Sequence, residues 1–331
     1  NSSQIGALFV NRQATGALAG ADDSNQTYAV DGRLGLGQNG QIAGFVARTR
    51  TPGLDGDDHA YNAAWDYNSE TWRFTLGYVE VADNFNPEVG FVPRVGIRRS
   101  KLHLEFNPRP GKWGIRLMDP MWNVTYFTDQ SGRLVTRQFH HMLSTTFENG
   151  ANFNIVHNRF FERIDNTFNV GGVPIDPGKY WFQDWNFSFR SDPSRKFFYR
   201  LSYAPQTFYD GNRTDLSASV GLRVTDRLAT SARISRNDVE IPNGEFKADI
   251  ASLTIDYTFS PTVSLRGITQ YNSLSEQFST SARLRYIFRP GSDIFVVYDE
   301  VRQDLPATVD PFVDEFRDRQ LLLKFTYLFS Y

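Results

Sequence analysis

The sequence predicts an all-β fold: a transmembrane, antiparallel up-and-down β-barrel of about eighteen strands. Three observations lead to this prediction. Apolar and polar residues alternate along the whole chain, the alternating segments are roughly ten residues long, and tight turns alternate with longer polar connections. No stretch keeps a helical period. Because a tilted strand of about ten residues can cross a bilayer, the segment length itself favours a membrane protein.

The alternation defines the strands in chain order. In the segment 72–78, Trp72, Phe74, Leu76 and Tyr78 occupy every second position, and polar or small residues lie between them. Side chains of a strand point to opposite faces in turn, so each such segment has one apolar and one polar face. The same pattern occurs at 61–68, 184–190, 197–203, 216–222, 253–259, 282–288 and 321–331.

The connections predict how the strands are joined. Residues that favour turns cluster at 37–40, 68–70, 107–111, 148–150, 192–194, 225–226, 260–261 and 289–292. Longer and more polar connections lie between them, for example at 51–58, 84–94, 166–178 and 304–316. A strict short–long alternation is typical of an outer-membrane barrel, with short periplasmic turns and long external loops. An even strand number then predicts that both termini are periplasmic.

Composition agrees with a single barrel domain over 1–331. The chain has 28 Phe and 15 Tyr, yet its mean hydropathy is −0.44 and its net charge is −2. In a barrel, apolar outward and polar inward residues cancel in any average. The absence of cysteine excludes a disulfide scaffold and a Cys-ligated metal site, and the small net charge gives no basis for nucleic-acid binding.

A soluble propeller or sandwich is the alternative fold. It would bury the apolar faces in a core, and a propeller would show a repeat of roughly 40 residues. The sequence contains no such repeat, and it ends on an uncovered aromatic row. We therefore expect this row to face lipid and to form the signal that the outer-membrane assembly machinery reads. Its members include Phe325, Tyr327, Phe329 and Tyr331.

Three segments resemble one bacterial family. These are IGALFVNRQ (5–13), YAVDGRLGL (28–36) and GYVEVADNFNPEVGFVPRVGIRR (77–99). They are similar to the C-terminal domain of unknown function in outer-membrane proteins whose N-terminal module resembles family-9 carbohydrate-binding domains. The resemblance implies a membrane barrel, a missing N-terminal module and missing upstream strands. It implies no established activity.

The polar face carries many charges, and in a barrel it lines the lumen. The cations assigned to it outnumber the acids. Either the charges pair across strands and stiffen the wall, or the lumen favours anionic solutes or an acidic plug. The assigned cations are Arg33, Arg48, Arg50, Arg73, Arg116, Arg190, Arg200, Arg223, Arg233, Arg266, Arg283, Arg285, Arg289 and Lys324. The assigned acids are Asp31, Asp66, Glu105, Glu148, Asp184, Asp215 and Asp256.

One connection is too apolar for a solvated loop. We expect the stretch 84–94 to pack against the wall or fold into the mouth, as a constriction, a docking site or a structural fold-back. The mouth-loop residues are Phe85, Asn86, Pro87, Glu88, Phe91 and Arg94.

Evidence for metal or enzymatic chemistry is thin. Asp55, Asp57 and Asp58 could hold a hard cation but lack the spacing of a calcium loop. The pairs His140 with Ser144 and His103 with Glu105 lack a third partner. No cofactor is expected.

The sequence therefore favours a channel, transporter or translocation conduit in the outer membrane of a Gram-negative bacterium. The alternatives are a barrel with a plugged lumen that anchors a surface or periplasmic assembly, and an outer-membrane hydrolase. The expected partners are membrane lipid, the assembly machinery and a periplasmic or surface protein.

Overall fold

The computed structural model describes residues 3–16, 20, 23–304 and 315–329, which form β-strands joined by turns and loops. This described part contains no helix long and apolar enough to cross a membrane. The first strands are β1 (Gln4–Gln13), β2 (Ser24–Leu36), β3 (Gly40–Arg50), β4 (His59–Asn68), β5 (Trp72–Val81), β6 (Ile97–Phe106), β7 (Ile115–Asp129), β8 (Leu134–Phe147), β9 (Asn152–Ile164) and β10 (Phe168–Val170). The others are β11 (Val173–Ile175), β12 (Gly178–Arg190), β13 (Phe197–Phe208), β14 (Gly211–Arg223), β15 (Leu228–Ile241), β16 (Gly244–Ser260), β17 (Val263–Asn272), β18 (Gln277–Arg289), β19 (Ser292–Asp304) and β20 (Glu315–Thr326).

The predicted fold class is confirmed. Eighteen strands belong to one antiparallel up-and-down sheet, and β10 and β11 form a separate two-stranded sheet. The chain divides into two compact units. The first contains 1–145, 156–167 and 176–183, and the second contains 146–155, 168–175 and 184–331.

In the first unit, β1 to β7 pair in sequence order. The register aligns Leu34 with Ile42, Ile42 with Trp65, Trp65 with Leu76, and Leu76 with Leu102. Directly opposed residues of an antiparallel pair lie on the same face. The apolar residues of neighbouring strands therefore line up into an apolar row that crosses the sheet. All five of these side chains are exposed.

The second unit repeats this arrangement from β12 to β20. Leu201 lies opposite Ala218, and Ala218 lies opposite Ile234. Further along the sheet, Leu284 lies opposite Val296, and Val296 lies opposite Leu323. This apolar face is exposed as well.

The strict short–long alternation of connections is wrong. The connections at 130–133, 209–210, 242–243 and 273–276 were expected to be long, but each is a tight turn. Short turns occur at most of the predicted positions, but the connection predicted to be short at 107–111 runs over 107–114 between β6 and β7 and is as long as the connection 51–58. In the turn at 192–194, hydrogen bonds from the backbone and hydroxyl of Ser194 hold the pKa of Asp192 below its usual range.

The hairpin β10–β11 lies in a stretch expected to be a polar loop. Its turn is Gly171–Gly172, and both glycines have positive φ, 58° and 87°. The Gly-Gly pair between FNV and VPI is the sequence signal that identifies such a hairpin.

Buried apolar residues form small clusters, because most large apolar side chains are on the exposed face. In the first unit the cluster is Ala47, Ala60 and Phe85. In the second unit Val173 and Ile175 of the hairpin are buried, as are Val239 and Ile241 of β15, and β11 contacts β16.

Candidate functional site

The polar face of the sheet is the candidate site, because it brings together most of the predicted charged residues. In the first unit, Arg33 and Arg73 lie on this face, one register position away from the apolar row. Arg73 Nη1 is 2.7 Å from Glu105 Oε1, and the Glu105 side chain is buried. Arg33 Nη2 is 3.4 Å from Gln4 Oε1. These cations are therefore held by neighbouring strands.

Three predicted lumen cations of the first unit lie on the apolar face instead. Residues an even number of positions apart on a strand have the same parity and lie on the same face. Arg48 is directly opposed to Tyr28 and His59, and Arg50 has the same parity as Arg48 along β3. Arg116 has the same parity as Trp122 along β7. Each lies near a strand end. There a long side chain can reach polar groups beyond the apolar zone, as Arg48 Nε does at 2.9 Å from Asp58 Oδ1. The charge of these residues was a poorer guide to their face than the parity of the strand.

The polar face of the second unit is richer in cations. Register places on it all the remaining predicted members except Arg289, and they come from seven different strands. These residues are Arg190, Arg200, Arg223, Arg233, Arg266, Arg283, Arg285 and Lys324.

Arg289 lies on the apolar side. A register shift between Ile287 and Arg289 moves the last residue of β18 by one position. A bulge turns the following side chain to the other face. Arg289 Nη1 donates to the Tyr327 hydroxyl at 2.9 Å, and its guanidinium lies over the Tyr327 ring. Glu148, also assigned to the wall, lies in a turn rather than a strand.

Some of these cations form ion pairs and others do not. Arg285 Nη2 is 2.6 Å from Asp293 Oδ2, and Arg266 Nε is 3.6 Å from Asp256 Oδ1. Arg283 lies over the Phe295 ring, and Arg223 donates to the Pro193 carbonyl at 2.9 Å. The register of β18 and β19 places Asp293 beside Arg285.

The mouth loop of the first unit packs on the polar face of β3 and β4. Phe85 is 8% exposed and packs with Ala47 and Ala60, and Val92 packs against the same cluster. Ala47 and Ala60 are directly opposed on β3 and β4, on the polar side. The phenyl ring of Phe85 therefore packs against two small side chains of the polar face.

Hydrogen bonds tie the same loop to β2 and β3. Asn25 Nδ2 donates to the Asn86 carbonyl at 2.7 Å, and Asn25 Oδ1 accepts from the Glu88 amide at 3.3 Å. The Asn86 amide donates to Thr49 Oγ1 at 3.0 Å. Asn25 and Thr49 are each 1% exposed, so these bonds form away from water. Arg12 pairs with the Glu88 carboxylate and with Asp23.

The tip of this loop is exposed. Phe91 is 89% exposed, Val89 and Pro87 are not part of the buried cluster, and Arg94 lies over the Phe127 ring. The expectation that the apolar residues of the loop pack against the wall therefore holds for Phe85 and Val92 but not for Val89 or Phe91. Sequence composition alone did not separate these two groups.

A polar cavity of about 590 Å³ lies in the first unit, next to the turns 37–39 and 69–71. Its lining includes Arg73, His103 and Asp66. His103 Nε2 is 3.3 Å from Glu105 Oε2, and Thr75 Oγ1 donates to Asp66 Oδ1 at 2.7 Å. The His–Glu pair predicted from sequence is therefore formed, but the guanidinium of Arg73 occupies the same carboxylate.

The candidate cation cluster is not assembled. Asp58 is paired with Arg48, and the described residues contain no group of three His, Cys, Asp or Glu side chains that could hold a metal ion.

The C-terminal aromatic row is exposed where the structure describes it. Phe325, Tyr327 and Phe329 are all exposed, and Phe325 and Tyr327 stack on Phe288. Tyr331 lies outside the described residues, as does the connection 305–314.

No protein-family model matches the sequence, and no curated protein matches it. Several solved structures resemble the chain. OmpF of Salmonella typhi, in complex with daunomycin, is 9% identical with a TM-score of 0.42, and the match covers 81% of this chain and 88% of that chain. OmpT of Vibrio cholerae, an outer membrane protein in its trimer form, is 8% identical with a TM-score of 0.43, with coverages of 87% and 92%.

A third solved structure is Wzi of Escherichia coli, a carbohydrate-binding β-barrel involved in group 1 capsule assembly. It is 8% identical with a TM-score of 0.41, and the match covers 98% of this chain and 82% of that chain. All three TM-scores lie below 0.5.

Proposed function

We propose that the chain is a bacterial outer-membrane β-barrel whose polar face lines a water-filled lumen, and that it acts as a channel, transporter or translocation conduit. The observation that carries the proposal is the exposed apolar face, which follows the register from strand to strand in each unit.

Physical chemistry supports lipid as the medium at that face. Soluble monomers rarely expose a continuous apolar patch larger than a few hundred Å². Here Leu34, Trp65 and Leu76 continue one such surface in the first unit, and Ile234, Leu284 and Leu323 do so in the second. A strand sheet is stable in hydrocarbon only if its edges are paired, so lipid exposure implies closure into a barrel.

The opposite face supports water as its medium. Arginines, serines and carboxylates lie there on strand after strand, and several of these cations are exposed without a carboxylate partner in the described chain. A barrel of about sixteen to eighteen strands is wide enough to leave an aqueous channel. An even number of strands would place both termini on the periplasmic side.

A plugged anchor is the second candidate, and the mouth loop favours it. Residues 84–92 are fastened to the polar face by Phe85, Asn86 and Glu88, so part of the lumen is already occupied by the chain itself. Conductance distinguishes the two candidates, because a plugged barrel inserts into a bilayer without passing current.

The sequence resemblance extends the proposal. As the C-terminal domain of a protein with a carbohydrate-binding-like N-terminal module, the barrel would act with a periplasmic or surface partner and be inserted by the assembly machinery. The row ending in Phe329 and Tyr331 would be the segment which that machinery reads.

The experiment that tests membrane insertion compares the purified protein before and after boiling. A closed barrel satisfies its backbone groups between strands and keeps its shape in dodecyl sulfate, so the unheated sample should migrate faster on a gel. The protein should also require detergent for extraction from membranes. Coincident bands from a protein that stays soluble without detergent would contradict the proposal.

A further inference from the structure

The arginine row is defined here as Arg190, Arg200 and Arg233, which lie on one register line of the polar face. Arg190 is opposed to Arg200, Arg200 to Ser219, and Ser219 to Arg233. With strands about 4.8 Å apart, the three arginines span roughly 15 Å of the wall. Like charges in directly opposed positions repel each other, so this arrangement is not explained by sheet stability.

The row lacks the acids that neutralise other arginines of the same face. Arg266 and Arg285 pair with Asp256 and Asp293, whereas the described chain gives Arg190, Arg200 and Arg233 neither an ion pair nor a hydrogen bond. All three side chains are exposed.

The nearest carboxylates on these strands are distant or engaged. Asp215 and Asp256 each lie four positions from the register line, roughly 13 Å along the strand, and Asp184 lies further from Arg190. Asp192, in the adjoining turn, accepts hydrogen bonds from the amide and hydroxyl of Ser194. The cationic charge of the row is therefore not neutralised by the residues that the structure describes.

The neighbouring positions are small hydroxyl residues. Ser188, Ser202, Ser217 and Ser235 form the next register line on the same face, and Ser252 follows Arg233 on β16. Small side chains leave the guanidinium groups free to converge, and hydroxyl groups donate hydrogen bonds to oxyanions. Arginine forks match the oxygen geometry of phosphate and carboxylate.

We propose that the arginine row binds a soluble anion through its phosphate or pyrophosphate group. The site lies at the lumen wall of the second unit. The inference rests on the proposed function only in placing the polar face against the lumen. The anion bridges Arg190 and Arg200, and Arg233 contributes from two strands away. Anions that carry a phosphate or pyrophosphate group are therefore the class of solute that the barrel favours.

The test measures the block of current by pyrophosphate in planar bilayers bathed in potassium chloride. The wild type should pass a current that pyrophosphate reduces with saturation. The triple variant Arg190→Gln, Arg200→Gln, Arg233→Gln should need at least a tenfold higher concentration for half-block, because each bridging guanidinium is lost. An unchanged half-block concentration overturns the site.

A matched control removes the same charge from the other face of the same unit. Arg236, Lys247 and Arg319 share register lines with apolar-face positions and pair with Asp249, Asp238 and Glu300. Their triple replacement by Gln should leave the half-block concentration within about twofold of wild type. An equal rise in this control would show that bulk charge, not a site, sets the block.

A second measurement does not depend on conduction. Calorimetric titration of pyrophosphate into the detergent-solubilised protein should give saturable binding for the wild type and the control. The arginine-row triple variant should give no binding, although its normal heat-dependent gel shift shows that it is folded. Binding by a protein that passes no current would support the site and contradict the channel. No binding by the wild type would overturn the site even if current flows.

Discussion

Phe85 shows how much one side chain determines at the mouth of this protein. It is buried against two alanines, while Phe91, six positions later in the same loop, is 89% exposed. Both residues are phenylalanines of the same loop, so residue type alone does not distinguish them. Their difference comes from the polar tie between Asn25 and the loop backbone, which positions residues 85–88 against the wall and leaves the tip outside.

Replacing Phe85 with Ala should release the loop. Removing a buried phenylalanine ring costs about 3–5 kcal/mol where the site cannot collapse, so the open population should increase by at least tenfold. Trypsin cleavage after Arg94, followed by mass spectrometry of the folded protein in detergent, measures this opening. Phe91→Ala is the control and should cleave like the wild type. Equal cleavage rates for the two variants would show that Phe85 does not hold the loop.

At the residue scale, strand parity was the reliable guide to which face a side chain occupies, and charge was not. Arg33 and Arg73 follow the parity of their strands onto the polar face. Arg48 follows it onto the apolar face, although its charge suggested the lumen. Arg289 could not have been placed from sequence, because the register shift at the end of β18 has no local signal in the residues.

At the element scale, strands were predictable and connections less so. Period-two alternation identifies strands because each has one apolar face in contact with a continuous medium. The length of a connection, by contrast, depends on the positions at which the two paired strands end. The hairpin β10–β11 adds a buried element to the second unit, because Val173 and Ile175 are buried and β11 contacts β16. Asn243 Nδ2 also donates to the Pro174 carbonyl at 2.9 Å.

Replacing Ile175 with Ala should loosen this hairpin without unfolding the sheet. Ile175 is 3% exposed, and removing a buried isoleucine side chain to alanine costs about 2–5 kcal/mol. Hydrogen exchange of the peptides covering 168–175 should become at least tenfold faster, while the peptides of β18 keep their wild-type rates. Pro174→Ala changes an exposed neighbour and serves as the control. Wild-type exchange in the Ile175 variant would mean that the hairpin is held by other contacts.

At the scale of the whole molecule, the proposed function follows from the difference between the two faces of the sheet. One face is apolar and exposed in both units, and the other carries arginines, serines and the folded mouth loop. The sequence predicted this division because apolar and polar residues alternate along each strand. It could not predict which arginines are neutralised, since that depends on cross-strand register, as with Arg285 and Asp293.

The most direct test of the central claim is to measure which medium each face touches. The chain has no cysteine, so single cysteines can carry a spin label without background. Suitable pairs are Ile234 with Arg233 and Leu323 with Lys324, where Ile234 is 62% and Leu323 is 75% exposed. In liposomes, labels at 234 and 323 should collide mainly with oxygen, which dissolves in lipid, and labels at 233 and 324 mainly with a water-soluble nickel complex. Equal nickel accessibility at adjacent positions, or the reverse pattern, would contradict a barrel with lipid outside and water inside.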